Sequence, residues 1–328
     1  MDEPHHTLIL SRSDLRALMR PADYLAAAEA AFRALGLGEA ISPSPLHLAF
    51  EAGGLHAKAA AWLVRGVASV KLNANVPTAP ERGLPTIQGA VMLLDARDGR
   101  LLAILDSIEI TLRRTAAATA LAARRLASPD ARRIAVCGCG AQATAQVEAL
   151  REVLPGLQTA RLWDQDFAAA QRLAGTLKGL DAEPVPDLAS ATRDAEIIVT
   201  CTTARQPFLG SEHVKPGAFI AAVGADAPDK SELTPALMAA STVVPDVLAQ
   251  ALVMGDLHHA TASGARAPGA PYAELADVVL GRQPGRASTQ EIVVFDSTGT
   301  GVQDLAAAVV AWERARAQGL GLRVALGA

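Results

Sequence analysis

Asp226, Asp229 and Lys230 come directly after the apolar run AFIAAVG, in the stretch VGADAPDKSEL. Burying charge is costly, so a strand of buried character that ends in two acids and a lysine marks a place where charge is wanted. A carboxylate there can act as a general acid/base; a turn or helix-capping aspartate would leave the same trace, although Ser231 and Thr234-Pro235 are placed to cap the next helix. Two other positions carry cations in unusual settings. Lys58 and Lys71 lie in GLHAKAAAWLVRGVASVKL. A hairpin with its loop near Val64–Arg65 sets them opposite each other, and one with its loop at Arg65–Gly66 sets Lys58 opposite Asn73; either way His56, Ser69 and Asn73 are on the same face. Opposed like charges destabilise a sheet, and an anionic ligand would relieve them; a solvated face with two separated lysines is the plainer reading. Arg113 and Arg114, in TLRRTAAATALAARRLA, are expected at the start of a helix, where the macrodipole disfavours cations. A bidentate grip on a substrate carboxylate would justify one of them; reaching solvent would accommodate both.

The segment RIAVCGCGAQATAQ holds Gly138-Cys139-Gly140-Ala141-Gln142-Ala143, a GxGxxA pattern between an apolar strand and a helix. Gly138 permits the tight turn, Gly140 lets the backbone approach a pyrophosphate, and Ala143 lets the helix pack close to the strand. The helix N-terminus then offers free N–H groups to the phosphates. The next strand, TARLWDQD, ends at Asp164, 24 positions after Gly140. A carboxylate there accepts hydrogen bonds from ribose hydroxyls and repels a 2′-phosphate. Asp166 adds to the repulsion and no arginine is expected to counter it, which favours NAD over NADP. FDSTGTGVQD is a strand end with a glycine-rich turn, suited to the nicotinamide end of the cofactor. The expected cofactor-binding residues are Gly138, Gly140, Ala141, Gln142, Asp164, Thr202, Val223, Ser297 and Gly299.

The elements that must position these residues fall into two regimes. PADYLAAAEAAFRALG reads as a helix with Pro at its start and Gly past its end. From Ile41 to Ile110 the pattern is that of an antiparallel sheet, with Asp98-Gly99 as a hairpin turn. After the long helix DSIEITLRRTAAATALAARRLA, strands (RRIAVCG, TARLWD, EIIVTCT, AFIAAVG, STVVPDV, EIVVFDS) alternate with helices. That alternation means a parallel sheet covered on both faces. The carboxyl ends of such strands are where ligands bind, and they include both the glycine turn and Asp226. VQDLAAAVVAWERARAQ is a last helix able to return to the first domain. The fold class is therefore α/β.

The 328 residues suit two domains, and half are hydrophobic, mostly Ala, Val, Leu and Ile. The net charge of −4, with no basic run, argues against nucleic acid. Three cysteines in apolar, strand-like contexts point to a reducing cytoplasm rather than a disulfide framework. Neither the CxC of Cys137 and Cys139 nor the adjacent His258 and His259, read as loop residues or as residues that support a site from behind, has metal-site spacing, so no metal is expected. MDEPHHTLIL lacks the features of a signal peptide. No segment is long and apolar enough to cross a membrane.

The ordered set Lys71, GLPTIQGAVMLLDARDG, LRRTAAATALAARRLA, GCGAQA, VGADAPDKSEL and STGTGVQD resembles the ornithine cyclodeaminase/mu-crystallin family over nearly the whole chain. The resemblance implies two domains, a substrate and dimerisation domain over residues 1–113 and 304–328 and a Rossmann-type domain over 114–303 inserted into it, and a homodimer in which Lys71 and Arg114 bind the carboxylate of a small amino- or imino-acid substrate. It implies Asp226 as the catalytic acid/base, with Lys71 as a second catalytic residue sharing the proton on nitrogen, and Lys230, close to Asp226, as a substrate-binding residue. Three activities follow from it. One is NAD(P)H-dependent reduction of a ketimine or 2-imino acid such as pyrroline-2-carboxylate or piperideine-2-carboxylate, or in reverse dehydrogenation of an amino acid. The second is cyclodeamination of ornithine to proline and ammonia with recycled NAD. The third is ligand binding by a cofactor-loaded, mu-crystallin-like protein. The chain departs from the family at two places. Lys58 stands where cyclodeaminases carry a glutamate, and Pro45 stands where many members carry a basic residue. Lys58 would repel an ornithine ammonium and is expected to bind substrate in a more cationic pocket, suited to an imino acid and to one with a second acidic group.

Overall fold

The structure, a computed structural model, describes residues 6–270 and 272–326. The reading of the N-terminus as lacking a signal peptide rests in part on residues 1–5, which lie outside the described residues. The chain divides into two compact units. One holds the chain up to Arg114 and from Thr300 onward, and the other spans Thr115–Gly299.

The first unit is built on an eight-stranded sheet. Its strands are β1 (Thr7–Leu10), β2 (Ala40–Ile41), β3 (Leu46–Phe50), β4 (Gly53–Trp62), β5 (Val67–Asn75), β6 (Ile87–Asp95), β7 (Leu101–Asp106) and β15 (Leu322–Val324). They run in the order β15-β1-β7-β6-β5-β4-β2, with β3 also paired to β4. β4 to β7 form the antiparallel meander expected from the sequence. β4 and β5 are joined by a 3₁₀ turn over Leu63–Arg65, closed by Gly66 at φ +64°. That turn sets the register, and it places Lys58 directly opposite Lys71. Along β5 the alternation buries Val67, Ser69, Lys71 and Asn73 on one face. The helices are α1 (Arg12–Leu18), α2 (Pro21–Gly36), the first part of α3 (Ser107–Leu126) and α11 (Gly301–Gln318). Pro21 occupies the first position of α2; Gly36 lies within the helix rather than past it.

α11 packs against α2 and against β4, β5 and β6. Its run of small residues allows this: Ala306, Ala307, Ala308 and Ala311 are all buried. Gly301 lies against the Ala59 carbonyl, where any Cβ would collide. The face that carries Lys58 and Lys71 is therefore covered, and the solvated-face reading does not hold.

The second unit has seven parallel strands: β8 (Arg133–Cys137), β9 (Thr159–Trp163), β10 (Asp181–Pro184), β11 (Ile197–Thr200), β12 (Phe219–Ala222), β13 (Thr242–Pro245) and β14 (Val293–Asp296). Their order is β10-β9-β8-β11-β12-β14-β13. β11, β12 and β14 are buried at every position, as expected of strands covered on both faces. The helices are the rest of α3, α4 (Ala141–Val153), α5 (Phe167–Ala174), α6 (Leu188–Thr192), α7 (Pro235–Ala240), α8 (Leu248–Ala251), α9 (Asp256–Ala262) and α10 (Leu275–Val279). Chain order reverses beside β8, whose neighbours are β9 on one side and β11 on the other. The carboxyl end of β8 is thus the topological switch point, where such sheets bind ligands. β10 has a polar, Pro-ended sequence and carries no apolar run, which is why the sequence pattern does not show it.

Candidate active site

The glycine turn stands at that switch point. Gly138 follows β8 at φ +98°, a conformation that favours glycine. A Cβ there would lie 2.8 Å from Thr202 Cγ2 and 2.9 Å from the Cys201 carbonyl oxygen. Gly140 is different: a Cβ would meet nothing within 4 Å. It is exposed, and it is the N-cap of α4 with no side chain capping the first turn. The structure thus leaves the backbone at Gly140 open to an approaching group, with Ala141 exposed, Gln142 half-buried and Ala143 buried against the sheet. This is the cradle that a dinucleotide pyrophosphate requires.

Asp164 follows β9 and accepts hydrogen bonds from the N–H groups of Cys139, at 2.7 Å, and Asp166, at 2.9 Å. Its carboxylate is therefore anchored beside the glycine turn. Asp166 caps α5 through the Ala168 N–H and pairs with Arg172 at 3.0 Å. The expectation that no arginine answers Asp166 is corrected; the partner lies one turn along the following helix.

The neighbouring strand ends converge on buried carboxylates that the sequence reading did not single out. Glu232 accepts hydrogen bonds from the Thr200 hydroxyl, from both the hydroxyl and the N–H of Thr202, and from the Gly224 N–H, all at 2.7–2.8 Å. It ties the loop after β11 to the loop after β12, and Val223 between them donates its N–H to Thr200. Burial, reinforced by the nearby Asp256 charge, raises the Glu232 carboxyl to about 7. Asp256 accepts from the Ser231 hydroxyl and the N–H groups of Glu232 and Leu233. Ser231 is thus spent on Asp256, and Thr234 alone caps α7. Asp296 holds the start of α9 through the Leu257 N–H at 2.9 Å. Asp246 accepts the Thr298 hydroxyl and, at 2.6 Å, the Gly299 N–H. Ser297 is buried, with its N–H donated to the Ala222 carbonyl. The signal that would have found Asp246, Asp256 and Asp296 is their position in or beside apolar segments with no lysine or arginine close in sequence; Glu232, two residues after Lys230, carries no such signal.

Asp226 lies beyond β12 on the same edge, with its side chain nearly half exposed. Lys230 Nζ reaches Asp226 Oδ1 at 2.6 Å. Burial works to lower the Lys230 pKa, but the Asp226 charge outweighs it and holds the ammonium above its ordinary value. His259 Nε2 lies 2.8 Å from the Lys230 carbonyl oxygen and fixes that loop. Both His258 and His259 belong to α9, not to a loop as expected. Asp229 pairs with Arg205 at 3.3 Å. The charges that end the apolar run are therefore partnered: Asp226 by the largely buried Lys230, and the more exposed Asp229 by the exposed Arg205.

The cations of the first unit form a separate cluster. Lys71 Nζ lies 2.8 Å from Asp304 Oδ2, and Arg114 Nε lies 2.9 Å from Asp304 Oδ1. Arg114 Nη1 also donates to Gln303 Oε1 at 3.1 Å. Burial lowers the Lys71 pKa to about 7, helped by the Arg114 and Lys58 charges and opposed by Asp304. Burial works to raise Asp304, but Lys71 and Arg114 hold it below the ordinary carboxylate value. Asp304 was not expected as a partner; its place in the first turn of α11 brings it onto the buried face of β5. The helix-start argument for the arginines fails, because α3 begins at Ser107. Arg113 sits inside it, paired with Glu109 one turn earlier at 3.2 Å.

Of the three free cysteines, Cys137 ends β8, while Cys139 lies in the glycine turn and Cys201 lies just past β11. The last two correct the strand-like placement read from the sequence. Burial pushes all three thiols up, Cys139 to about 12 with Asp164 beside it. Among the described residues no helix is long and apolar enough to cross a membrane.

A parallel sheet with a glycine turn at its switch point and an anchored acid on the next strand defines a Rossmann-type unit, here joined to an α+β unit with a buried cation cluster. The chain belongs to the ornithine cyclodeaminase/mu-crystallin family, which it matches over residues 5–319. It is similar to an archaeal alanine dehydrogenase dimer with bound NAD: the identity is 34%, 97% of this chain and 99% of that one are covered, and the TM-score is 0.93. It is similar to the Thermococcus litoralis Δ1-pyrroline-2-carboxylate reductase in complex with NADH and L-proline (30%, 97% and 100%, 0.93). It is also similar to the Paracoccus denitrificans iminosuccinate reductase in complex with NAD+ (30%, 97% and 99%, 0.89).

Proposed function

We propose that the protein is an NAD-dependent oxidoreductase of C–N bonds, which reduces a 2-imino acid or ketimine to an amino acid or runs that reaction in reverse. The observation that carries this reading is the pairing of Asp226 with Lys230 on the same sheet edge as the Gly138–Gly140 turn. An ionisable acid held by a cation, on the edge where a dinucleotide is cradled, suits proton transfer coupled to hydride transfer. When bound, NADH supplies the hydride.

The chain's own residues supply the rest. Gly140 and the N-terminus of α4 receive the pyrophosphate, and Asp164 the adenosine ribose. Thr202, Val223, Ser297 and Gly299 belong to the loops on the nicotinamide side. Lys71 and Arg114 take the substrate carboxylate, with Asp304 setting their orientation and charge. Asp226 gives a proton to the nitrogen as the carbon–nitrogen double bond is reduced, and takes it back in the reverse direction. Lys230 keeps Asp226 oriented for that exchange.

A homodimer fits the first unit. The face of the sheet opposite α11 is apolar, and it leaves Leu72 and Met92 on central strands, with Leu46, Leu48 and Phe50 on β3, exposed in the single chain. An exposed apolar patch of this extent marks an interaction surface, and the similar archaeal enzyme is a dimer.

The test is an NADH-oxidation screen over 2-oxo acids with ammonia or methylamine, and over pyrroline-2-carboxylate and piperideine-2-carboxylate, with an ornithine ammonia assay beside it. Substrate-dependent loss of NADH supports the reading. Ammonia release from ornithine without net NADH change would replace it with cyclodeamination. Inertness towards every imine, with NADH still bound, would replace it with ligand binding.

A further inference from the structure

The parallel sheet has a second end, opposite the carboxyl ends that carry the glycine turn and Asp226. A cavity of about 270 Å³ opens there, beside the edge strand β13. Val243 lies at the start of β13 and Glu291 just before β14. Arg266, Tyr272 and Pro284 come from the segments between those two strands.

Arg266 brings a positive charge to this cavity. Its Nη1 donates to the carbonyl oxygens of Met238 and Ser241, at 2.5 and 2.6 Å, and so closes the C-terminal end of α7. Its Cζ lies 5.1 Å from the centre of the Tyr272 ring, and that ring is fixed by its own hydroxyl, which donates to the Ala267 carbonyl at 3.2 Å. The guanidinium is therefore held by one nitrogen and one face. Its remaining edge is unused among the described residues: Nε is buried with no hydrogen-bond partner, Nη2 makes no hydrogen bond, and no acid pairs with the group. That edge presents two parallel N–H groups, the geometry that takes a carboxylate bidentately. A buried donor without an acceptor costs stability, and a ligand carboxylate would remove that cost.

Glu291 brings the opposite charge. Burial works to raise its pKa, but the Thr242 side chain, the N–H groups of Ala287 and Ser288 and the Arg286 charge hold it below the ordinary value. Three hydrogen bonds leave room for one more, since a carboxylate has about four acceptor positions. Glu291 and Arg266 line one cavity yet do not pair with each other. The Tyr272 ring, Val243 and Pro284 give the same cavity apolar walls.

We propose that this cavity is a second ligand site, which binds the zwitterion of an α-amino acid with an apolar side chain. The carboxylate lies on Nε and Nη2 of Arg266, the ammonium on Glu291, and the side chain against Tyr272, Val243 and Pro284. A fixed cation and a fixed acid that leave each other unpaired match the two charges of such a molecule, and neither a simple carboxylate nor a simple amine uses both. The site stands at the other end of the sheet from the cofactor cradle, so its occupant does not compete with NADH. Its existence does not depend on which reaction the protein catalyses.

The experiment is a calorimetric titration of the full chain, loaded with NADH, with L-leucine, L-leucinamide and 4-methylpentanoate. The expected result is that leucine binds and that loss of either charged group weakens binding by about tenfold or more, as removal of one charge-assisted contact predicts. Arg266→Gln should abolish leucine binding. Because that variant also loses the closure of α7, Ala287→Phe serves beside it: Ala287 lines the cavity from an exposed position, and a phenylalanine there fills it. Ala287→Phe should abolish leucine binding while Tm and NADH affinity stay at their wild-type values. Leucine affinity that Ala287→Phe leaves unchanged overturns the inference, since the ligand then sits elsewhere. So does a wild-type protein that binds no leucine, or one that binds 4-methylpentanoate or leucinamide equally well. None of these outcomes bears on imine reduction, which the NADH-oxidation screen tests separately.

Discussion

Lys71 Nζ and Asp304 Oδ2 are 2.8 Å apart, with side chains 4% and 0% exposed. A lysine in the middle of a strand and an acid in the first turn of the last helix, 233 positions apart in sequence, thus share one buried site. Asp304 also holds Arg114, so one carboxylate sets the charge and direction of both cations. Removing it leaves two buried charges uncompensated.

Asp304→Asn is therefore expected to destabilise the protein by roughly 3–5 kcal/mol, the usual consequence of breaking a buried pair. Because Asp304 is the charge that raises the Lys71 pKa, the variant should also move the Lys71 limb of the pH–rate profile below its wild-type position near 7. Denaturant unfolding and a pH profile of kcat/KM check the two effects. A limb that stays in place would separate Lys71 from that titration.

Asp226→Ala should leave NADH affinity intact and abolish turnover, because the glycine turn and Asp164 are held by each other's backbone and side-chain groups while Asp226 is fixed by Lys230. Lys230→Met removes the 2.6 Å partner of Asp226 and should lower kcat by about 10-fold to 100-fold, the lower range of a general acid/base contribution. NADH fluorescence titration beside steady-state rates distinguishes chemistry from binding. Unchanged turnover in Asp226→Ala would remove that residue from the mechanism.

The two glycines of the turn should behave differently. A valine at Gly140 projects into open space, so Gly140→Val should fold normally, with an unchanged Tm, and lose NADH binding by blocking the pyrophosphate. Gly138→Ala meets Thr202 and the Cys201 carbonyl in a left-handed backbone conformation, so it should lower Tm as well. Equal NADH affinity in wild type and Gly140→Val would place the cofactor elsewhere.

Glu232 and Asp256 are raised in the folded protein, from 4.5 to about 7 and from 3.8 to about 6. Both bind more protons folded than unfolded between those values. Their contribution to stability is therefore fully present only below about pH 4 and is lost as pH rises from there through 6 to 7. Glu232→Gln should flatten the dependence of unfolding free energy on pH between 5 and 8 relative to wild type. It should also weaken NADH binding, because the loops at Thr202 and Gly224 lose part of their common anchor. A pH dependence identical to wild type would mean that Glu232 stays ionised throughout.

Much of this site is local in sequence. The GxGxxA turn needs only a strand, two glycines and a helix in immediate succession, so it was legible in one short stretch, as was the acid ending the next strand. That Lys58 and Lys71 share one face followed from strand periodicity, but the loop position left Lys58 opposite either Lys71 or Asn73, and the 3₁₀ turn of the structure selects Lys71. The elements with weak apolar patterning, β10 and the short edge strands β2, β3 and β15, were not visible, since their place depends on neighbouring strands that supply the hydrogen bonds.

By itself the sequence determined that the chain is α/β, that one part cradles a dinucleotide-like turn, and that Lys58, Lys71, Arg114 and Asp226 are its unusual charges. Those conclusions rest on contacts within a turn, a hairpin or a strand end, where the backbone dictates geometry over a few residues. Only the tertiary structure decided that the lysine face is buried beneath α11, that Asp304 is the counter-charge of Lys71 and Arg114, and that Glu232 ties two strand ends together. Each of these joins segments far apart along the chain. The cost of burying a charge is set by what packs over it, which no local pattern encodes.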